Sequence, residues 1–217
     1  MKRLILYLML LALPFVGQAQ STFKKELAVG ASFGTNFSRV SFAPKVHQKM
    51  QMGFTGGLTL RWLTENHLGL QAEVNFTQQG WAEKFEEQPQ YRYSRSLTGF
   101  EVPFMTHIYF GSDRFRFFVN LGPKVGYIFS ESTDSNLNGA TPNLNNDQHD
   151  LAIQKKFDWG LCGGPGIELR TGIGHFLLEG RYYYALGDLF YSTKSDPFAK
   201  SSLQTITAKL TYLFPFK

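Results

Sequence analysis

Cysteine is nearly absent: Cys162 is the only one in 217 residues. No internal disulfide can form, so stability has to come from the fold itself. Charge is scarce as well, with Asp, Glu, Lys and Arg making up 18% of the chain. What charge there is carries both signs and is scattered, which excludes the basic clustering of a nucleic-acid binder. Beyond the first two dozen residues no stretch comes near the roughly 18 to 20 consecutive apolar residues of a membrane-crossing helix, which excludes a helical membrane protein. Segments with apolar residues at helical spacing are also few. Gly, at 21 residues, and aromatics, at 16%, are by contrast plentiful, and strand is the default reading.

The chain opens with Lys2 and Arg3, continues through LILYLMLLALPFV and reaches Gly17-Gln18-Ala19. A basic start, a short apolar core and a small-residue site are the order of a secretory signal peptide, with cleavage expected after Ala19. No cysteine stands at that site, which argues against a lipid-anchored product. Residues 20–217 then form one domain, and the formal charge of +5 drops to +3 with the loss of Lys2 and Arg3.

Period-two alternation recurs in eight segments, at about 26–37, 52–63, 67–78, 97–110, 114–129, 157–170, 174–187 and 204–216. In each, apolar residues take one parity and Gly, polar or charged residues the other. The third sets Leu68, Leu70, Ala72, Val74 and Phe76 against Gly69, Gln71, Glu73, Asn75 and Thr77. Each segment reaches the roughly 9 to 11 residues that a tilted strand needs to cross a bilayer. The connections alternate strictly. They are long at about 38–51, 79–96, 130–156 and 188–203, and short at Thr64-Glu65-Asn66, Ser112-Asp113 and Thr171-Gly172-Ile173. Both features predict a closed antiparallel up-and-down transmembrane β-barrel of about eight strands, with the termini and tight turns at one end.

Periodicity alone leaves open a soluble barrel with an apolar lumen. The charges decide for the membrane: Glu73, Glu101, Lys124, Glu168, Arg170, Glu179, Arg181 and Lys209 all fall on the polar parity, while aromatics such as Trp62, Phe76, Phe110, Phe115, Trp159 and Phe176 gather near strand ends on the other. A charged lumen and an outer aromatic girdle are therefore expected. Pro103, Pro123 and Pro165 each delete a ladder donor inside a strand, so bulges or irregularity are expected there.

The segments FEVPFMTHIYFG, FFVNLGPKVGYIFS, FDWGLCGGPGIEL and LLEGRYYYALGDL, in that order, resemble the PorT-like outer-membrane β-barrel family, often labelled porin family proteins. The resemblance spans nearly the whole mature chain. It implies residence in the outer membrane of a Gram-negative bacterium, amid lipids that include lipopolysaccharide. The namesake's part in secretion and gliding machinery implies a secretion or surface protein partner. The ending TAKLTYLFPF resembles the aromatic terminal strand read by barrel assembly machinery, although Lys217 follows Phe216.

Within that frame the inward charges are expected to pair with one another in a narrow, filled lumen. The alternative is a narrow pore for ions or small solutes lined by the same residues. A two-residue turn at Ser112-Asp113 would place Glu101 opposite Lys124. The aromatic segment WAEKFEEQPQYRYSR offers Trp81, Phe85, Tyr91 and Tyr93 as anchors for a partner, or else extends strands beyond the membrane. Asp147, His149 and Asp150 in NNDQHD have the donor types of a divalent-cation loop, although a solvated polar loop is the expected state. An outer-membrane acyl-modifying enzyme would need Ser, His and acid together; no such spacing occurs, and neither an enzyme nor a cofactor is expected.

Overall fold

The computed structural model describes residues 23–142 and 147–216; the signal segment lies outside them. Strands β1 (Glu26–Ala43), β2 (Gln48–Lys49), β3 (Gln51–Glu65), β4 (Leu68–Glu83), β5 (Tyr93–Gly111), β6 (Phe115–Ser135), β7 (Phe157–Thr171), β8 (Gly174–Ala185) and β9 (Lys200–Phe216) pair antiparallel. The eight long ones close into a ring: β1, β3, β4, β5, β6, β7, β8, β9 and back to β1. Closure removes every open sheet edge, the one condition under which strands can cross lipid. Short β2 lies along the far end of β4, and one helical turn, α1 (Asp147–Asp150), sits in the longest loop.

The chain is a two-faced ribbon, and the outward face is the apolar one. Phe33, Leu58, Phe104, Phe117, Leu121 and Leu210 are all exposed, as are Trp62, Phe76, Phe110, Phe115, Trp159 and Phe176. So large an apolar surface is tolerable only against lipid. The inward face carries the charges, which settles the orientation against a soluble barrel. Gly and small residues on the inner face of β7 make room for larger neighbours: a Cβ on Gly166 would lie 2.2 Å from the Phe118 ring.

Most strands run further at the long-loop end than the alternation suggested, although β8 stops at Ala185, short of 187. There β4 continues to Glu83, β5 begins at Tyr93, β6 ends at Ser135 and β9 begins at Lys200. Of the two outcomes expected at the prolines, the structure shows irregularity and not bulges. The ladder skips two pairs and resumes in the same register, as between Pro103↔Lys124 and Thr106↔Leu121, and between Gly163↔Tyr182 and Gly166↔Glu179. A missing N–H removes a bond without adding a residue, so the count of opposed residues is conserved. The bulges lie elsewhere, one at Leu63/Glu65 and one where Thr98 faces Ser130 but Gly99 faces Ile128, leaving Phe129 unpaired.

Candidate functional site

The lumen is stratified, and its middle is a desolvated ion cluster. Arg181 on β8 donates through Nη1 to Glu73 Oε2 at 3.0 Å and through Nη2 to Glu73 Oε1 at 2.9 Å, bridging from one wall of the barrel to another. The same guanidinium grips Glu179 through Nε at 3.0 Å and Nη2 at 2.8 Å. Lys209 Nζ completes the set, 2.6 Å from Glu73 Oε2 and 3.2 Å from Asn75 Oδ1. Two carboxylates thus meet two cations, and Glu179 Oε1, which accepts from Arg181 Nε, also takes an Asn120 amide hydrogen at 3.1 Å. Fork geometry is why arginine holds the centre: its donors match two carboxylates at once.

Toward the long-loop end lies a second cluster, in which Lys124 Nζ is 2.7 Å from Glu101 Oε2 and 3.4 Å from the centre of the Tyr183 ring, while the Tyr183 hydroxyl donates to Asp158 at 2.7 Å. Glu101 does not stand opposite Lys124, as the turn arithmetic required. It faces Gly126, and Lys124 faces Pro103. The turn is longer than two residues, since Gly111 pairs with Arg116 across Ser112, Asp113, Arg114 and Phe115. A shift of two keeps every side chain on its face, so the ion pair survives as a diagonal contact, within reach of long side chains. Lys124 faces Gly160 on β7 and is therefore diagonal to Asp158 as well. A double-mutant cycle on Glu101→Gln and Lys124→Met, read by urea titration in lipid vesicles, is expected to show coupling of roughly 0.5 to 3 kcal/mol. Lys124→Met is the costlier single change because it strands two carboxylates. Additive effects would show that the contact contributes nothing.

At the short-turn end Arg61 Nη2 reaches Glu168 Oε1 and His175 Nδ1, each at 2.9 Å, and Arg170 pairs with Glu26. Arg61, Glu26 and His175 were not among the charges singled out from the sequence, although Arg61 lies on the polar parity of its strand. Arg170 belongs to this mouth and not to the central cluster. His107 is fully buried, with Nδ1 2.8 Å from Asn120 Oδ1. Since the Asn120 amide already donates to Glu179, its oxygen must accept here and His107 carries its proton on Nδ1. Among the described residues His67, His107, His149 and His175 have carbonyl, amide, carboxylate or guanidinium partners, and none bonds a hydroxyl.

Apolar clusters close both ends. Ala28, Leu63, Tyr109, Phe118, Leu177 and Leu213, with Phe23 against them, fill the short-turn end. The long-loop end holds a larger one built around Phe42, Trp81, Leu97, Phe190, Phe198 and Leu203. Of the two readings of this segment, the structure shows strand extension, with β4 running to Glu83 and β5 beginning at Tyr93, and not Trp81, Phe85, Tyr91 and Tyr93 as an exposed partner surface. Trp81, Phe85 and Tyr93 are buried and Tyr91 packs against the same cluster. The reason is parity. Gln79, Trp81 and Glu83 continue the inward set of β4, and Tyr93, Arg95 and Leu97 that of β5. Burial pushes the Tyr93 phenol above its ordinary range, against the opposing charge of Arg95.

The same cluster draws α1 into the mouth. His149 Nε2 and Gln148 Nε2 lie 2.8 and 2.7 Å from Glu83 Oε1, and Arg95 Nη1 donates to the carbonyls of Gln148 and Leu151. His149 therefore turns toward Glu83 and not toward Asp147 and Asp150, and among the described residues no three His, Cys, Asp or Glu are grouped to hold a metal ion.

Solved barrels resemble this one. Ail, the attachment invasion locus protein of Yersinia pestis, is 17% identical with a TM-score of 0.42, covering 87% of this chain and 99% of its own. OprG from Pseudomonas aeruginosa is 12% identical with a TM-score of 0.49, over 87% and 95%. The outer membrane enzyme PagL is 14% identical with a TM-score of 0.37, over 89% and 100%. No protein of curated function matches the chain. The family described as outer membrane protein beta-barrel domain matches residues 18–191, and the chain belongs to it.

Proposed function

We propose that this protein is carried by its signal peptide to the cell outer membrane, is inserted there by the barrel assembly machinery with its long loops outward, and serves a structural or partner-binding role, not a conducting one. One observation carries the reading: the lumen is filled. Side chains that line a water column are solvated, yet Arg61, Glu73, Asn75, His107, Asn120 and Lys209 are each 2% exposed or less. The lumen cavities beside Glu101 and Lys124 are about 10 Å³ each, room for about one water apiece. Apolar clusters above and below the ion layer add two further barriers to a hydrated ion.

Planar-bilayer recording of the refolded protein is expected to give a flat baseline at all potentials short of membrane rupture. Discrete, reproducible conductance steps would sink the proposal and favour a narrow pore. The resemblance to PorT-like sequences supplies a direction for the partner, a component of secretion or surface machinery. Crosslinking from the long-loop end in intact cells is expected to recover one protein in stoichiometric yield; recovery of lipid and lipopolysaccharide alone would leave the role purely structural.

A further inference from the structure

We propose that the outward rim where β8, β9 and β1 meet at the long-loop end holds the phosphorylated headgroup of a membrane lipid. The register puts Arg39, Gln204 and Tyr184 in one row across the three strands, Arg39 facing Gln204 and Gln204 facing Tyr184. The row directly below, toward the middle of the barrel, is Phe37, Ile206 and Tyr182, all exposed on the apolar face. A lipid whose chains lie on the lower row necessarily brings its headgroup to the upper one.

The hydrogen bonds within the upper row determine what it can accept. Arg39 Nε donates to Gln204 Oε1 at 3.0 Å, and Lys200 Nζ donates to the Tyr184 hydroxyl at 3.0 Å. Both bonds consume acceptors. The groups left over are donors: the Arg39 Nη groups, the Gln204 amide N–H, the Tyr184 O–H and the remaining Lys200 protons. The Gln204 orientation follows from its neighbour, since only its oxygen can face a guanidinium. Asp188, the carboxylate of the adjoining loop, is turned to the Ser201 backbone N–H and the Ser202 hydroxyl. On the other side of the rim the exposed cation Arg92 is neutralised by Asp134. A donor-only, positively charged row on an apolar shelf fits a group with several anionic oxygens and attached acyl chains, which is a lipid phosphate.

The inference rests on the membrane reading above, and the test separates the two. The full barrel is refolded into nanodiscs of a phosphate-free galactolipid doped with diphosphoryl lipid A or with the same lipid stripped of its phosphates, and retained lipid is counted by native mass spectrometry after detergent extraction. Phosphorylated lipid A is expected to be retained on the order of tenfold better, and Arg39→Gln with Lys200→Gln to abolish that preference. Arg92→Gln, on the neutralised side, should leave it intact. Equal retention of both lipids, equal loss in the Arg92→Gln control, or displacement by millimolar inorganic phosphate, which would indicate a free-ion site, each overturns the proposal. A barrel that folds in the nanodisc but shows no preference defeats the headgroup site alone, whereas failure to fold in any bilayer defeats the membrane reading.

Discussion

Replacing Arg181 by Met is expected to destabilise the barrel by about 3 to 5 kcal/mol, the range for stripping one partner from a buried ion pair. The guanidinium makes four hydrogen bonds, two to Glu73 and two to Glu179. Without it Glu73 keeps Lys209, but Glu179 keeps only an amide of Asn120. A lone charge is left in a space that excludes water. The cost should therefore come from Glu179 and not from the loss of arginine as such. Adding Glu179→Gln to Arg181→Met leaves Glu73 and Lys209 as a self-contained neutral pair and is expected to recover most of the loss. The measurement is the urea midpoint of the barrel in lipid vesicles, read by the loss of the folded band, which is expected to migrate apart from the heated one on detergent gels. If the double variant is no more stable than Arg181→Met, the cluster is held by packing around the arginine stem, and the charge argument fails.

How much of this was legible in the sequence follows from what alternation encodes. A period of two specifies a face, and the inward charges on β4, β5, β6, β7, β8 and β9 do lie inside. Closure and the short turns at one end came from that pattern and the alternating connection lengths, and orientation from the charges on the polar parity. Alternation says nothing of azimuth. Arg61 and Glu168 are 107 residues apart and meet because β3 and β7 stand across the lumen from each other, a relation set by the ring. Register was misjudged by two residues between β5 and β6 because a turn of unknown length stands between them. The bulge at Phe129 had no local marker such as glycine or proline at the position itself. The long-loop end was misread for another reason. There the inward parity changes from charged to apolar, as Gln79 gives way to Trp81 on β4 and Glu101 to Leu97 on β5. A rule that identified inward residues by polarity stopped at that boundary, whereas one that followed parity alone would have run through it.

Trp81 makes that boundary testable. It is fully buried, meets Phe42 edge-on at 5.5 Å and has Arg95 at 5.7 Å from its ring. Trp81→Ala is expected to cost about 3 to 5 kcal/mol, the range for truncating a large core aromatic. Its indole N–H has no hydrogen-bond partner among the described residues, so the ring acts through its volume. Trp81→Phe keeps most of that volume and drops the unsatisfied donor, and should cost much less. The loss should also be local. The apolar cluster is made of strand ends and loops beyond the ion layer, and such regions open in smaller cooperative units than the sheet below. In Trp81→Ala, protease added from the long-loop side is expected to cut within 136–156, a segment held by Arg95 and Glu83 against the same cluster, while the remaining barrel stays resistant. Planar-bilayer recordings of the variant should remain flat, because Glu73, Arg181, Glu179 and Lys209 still fill the lumen beneath. If Trp81→Ala instead conducts, the outer cluster, and not the ion layer, is what seals the barrel.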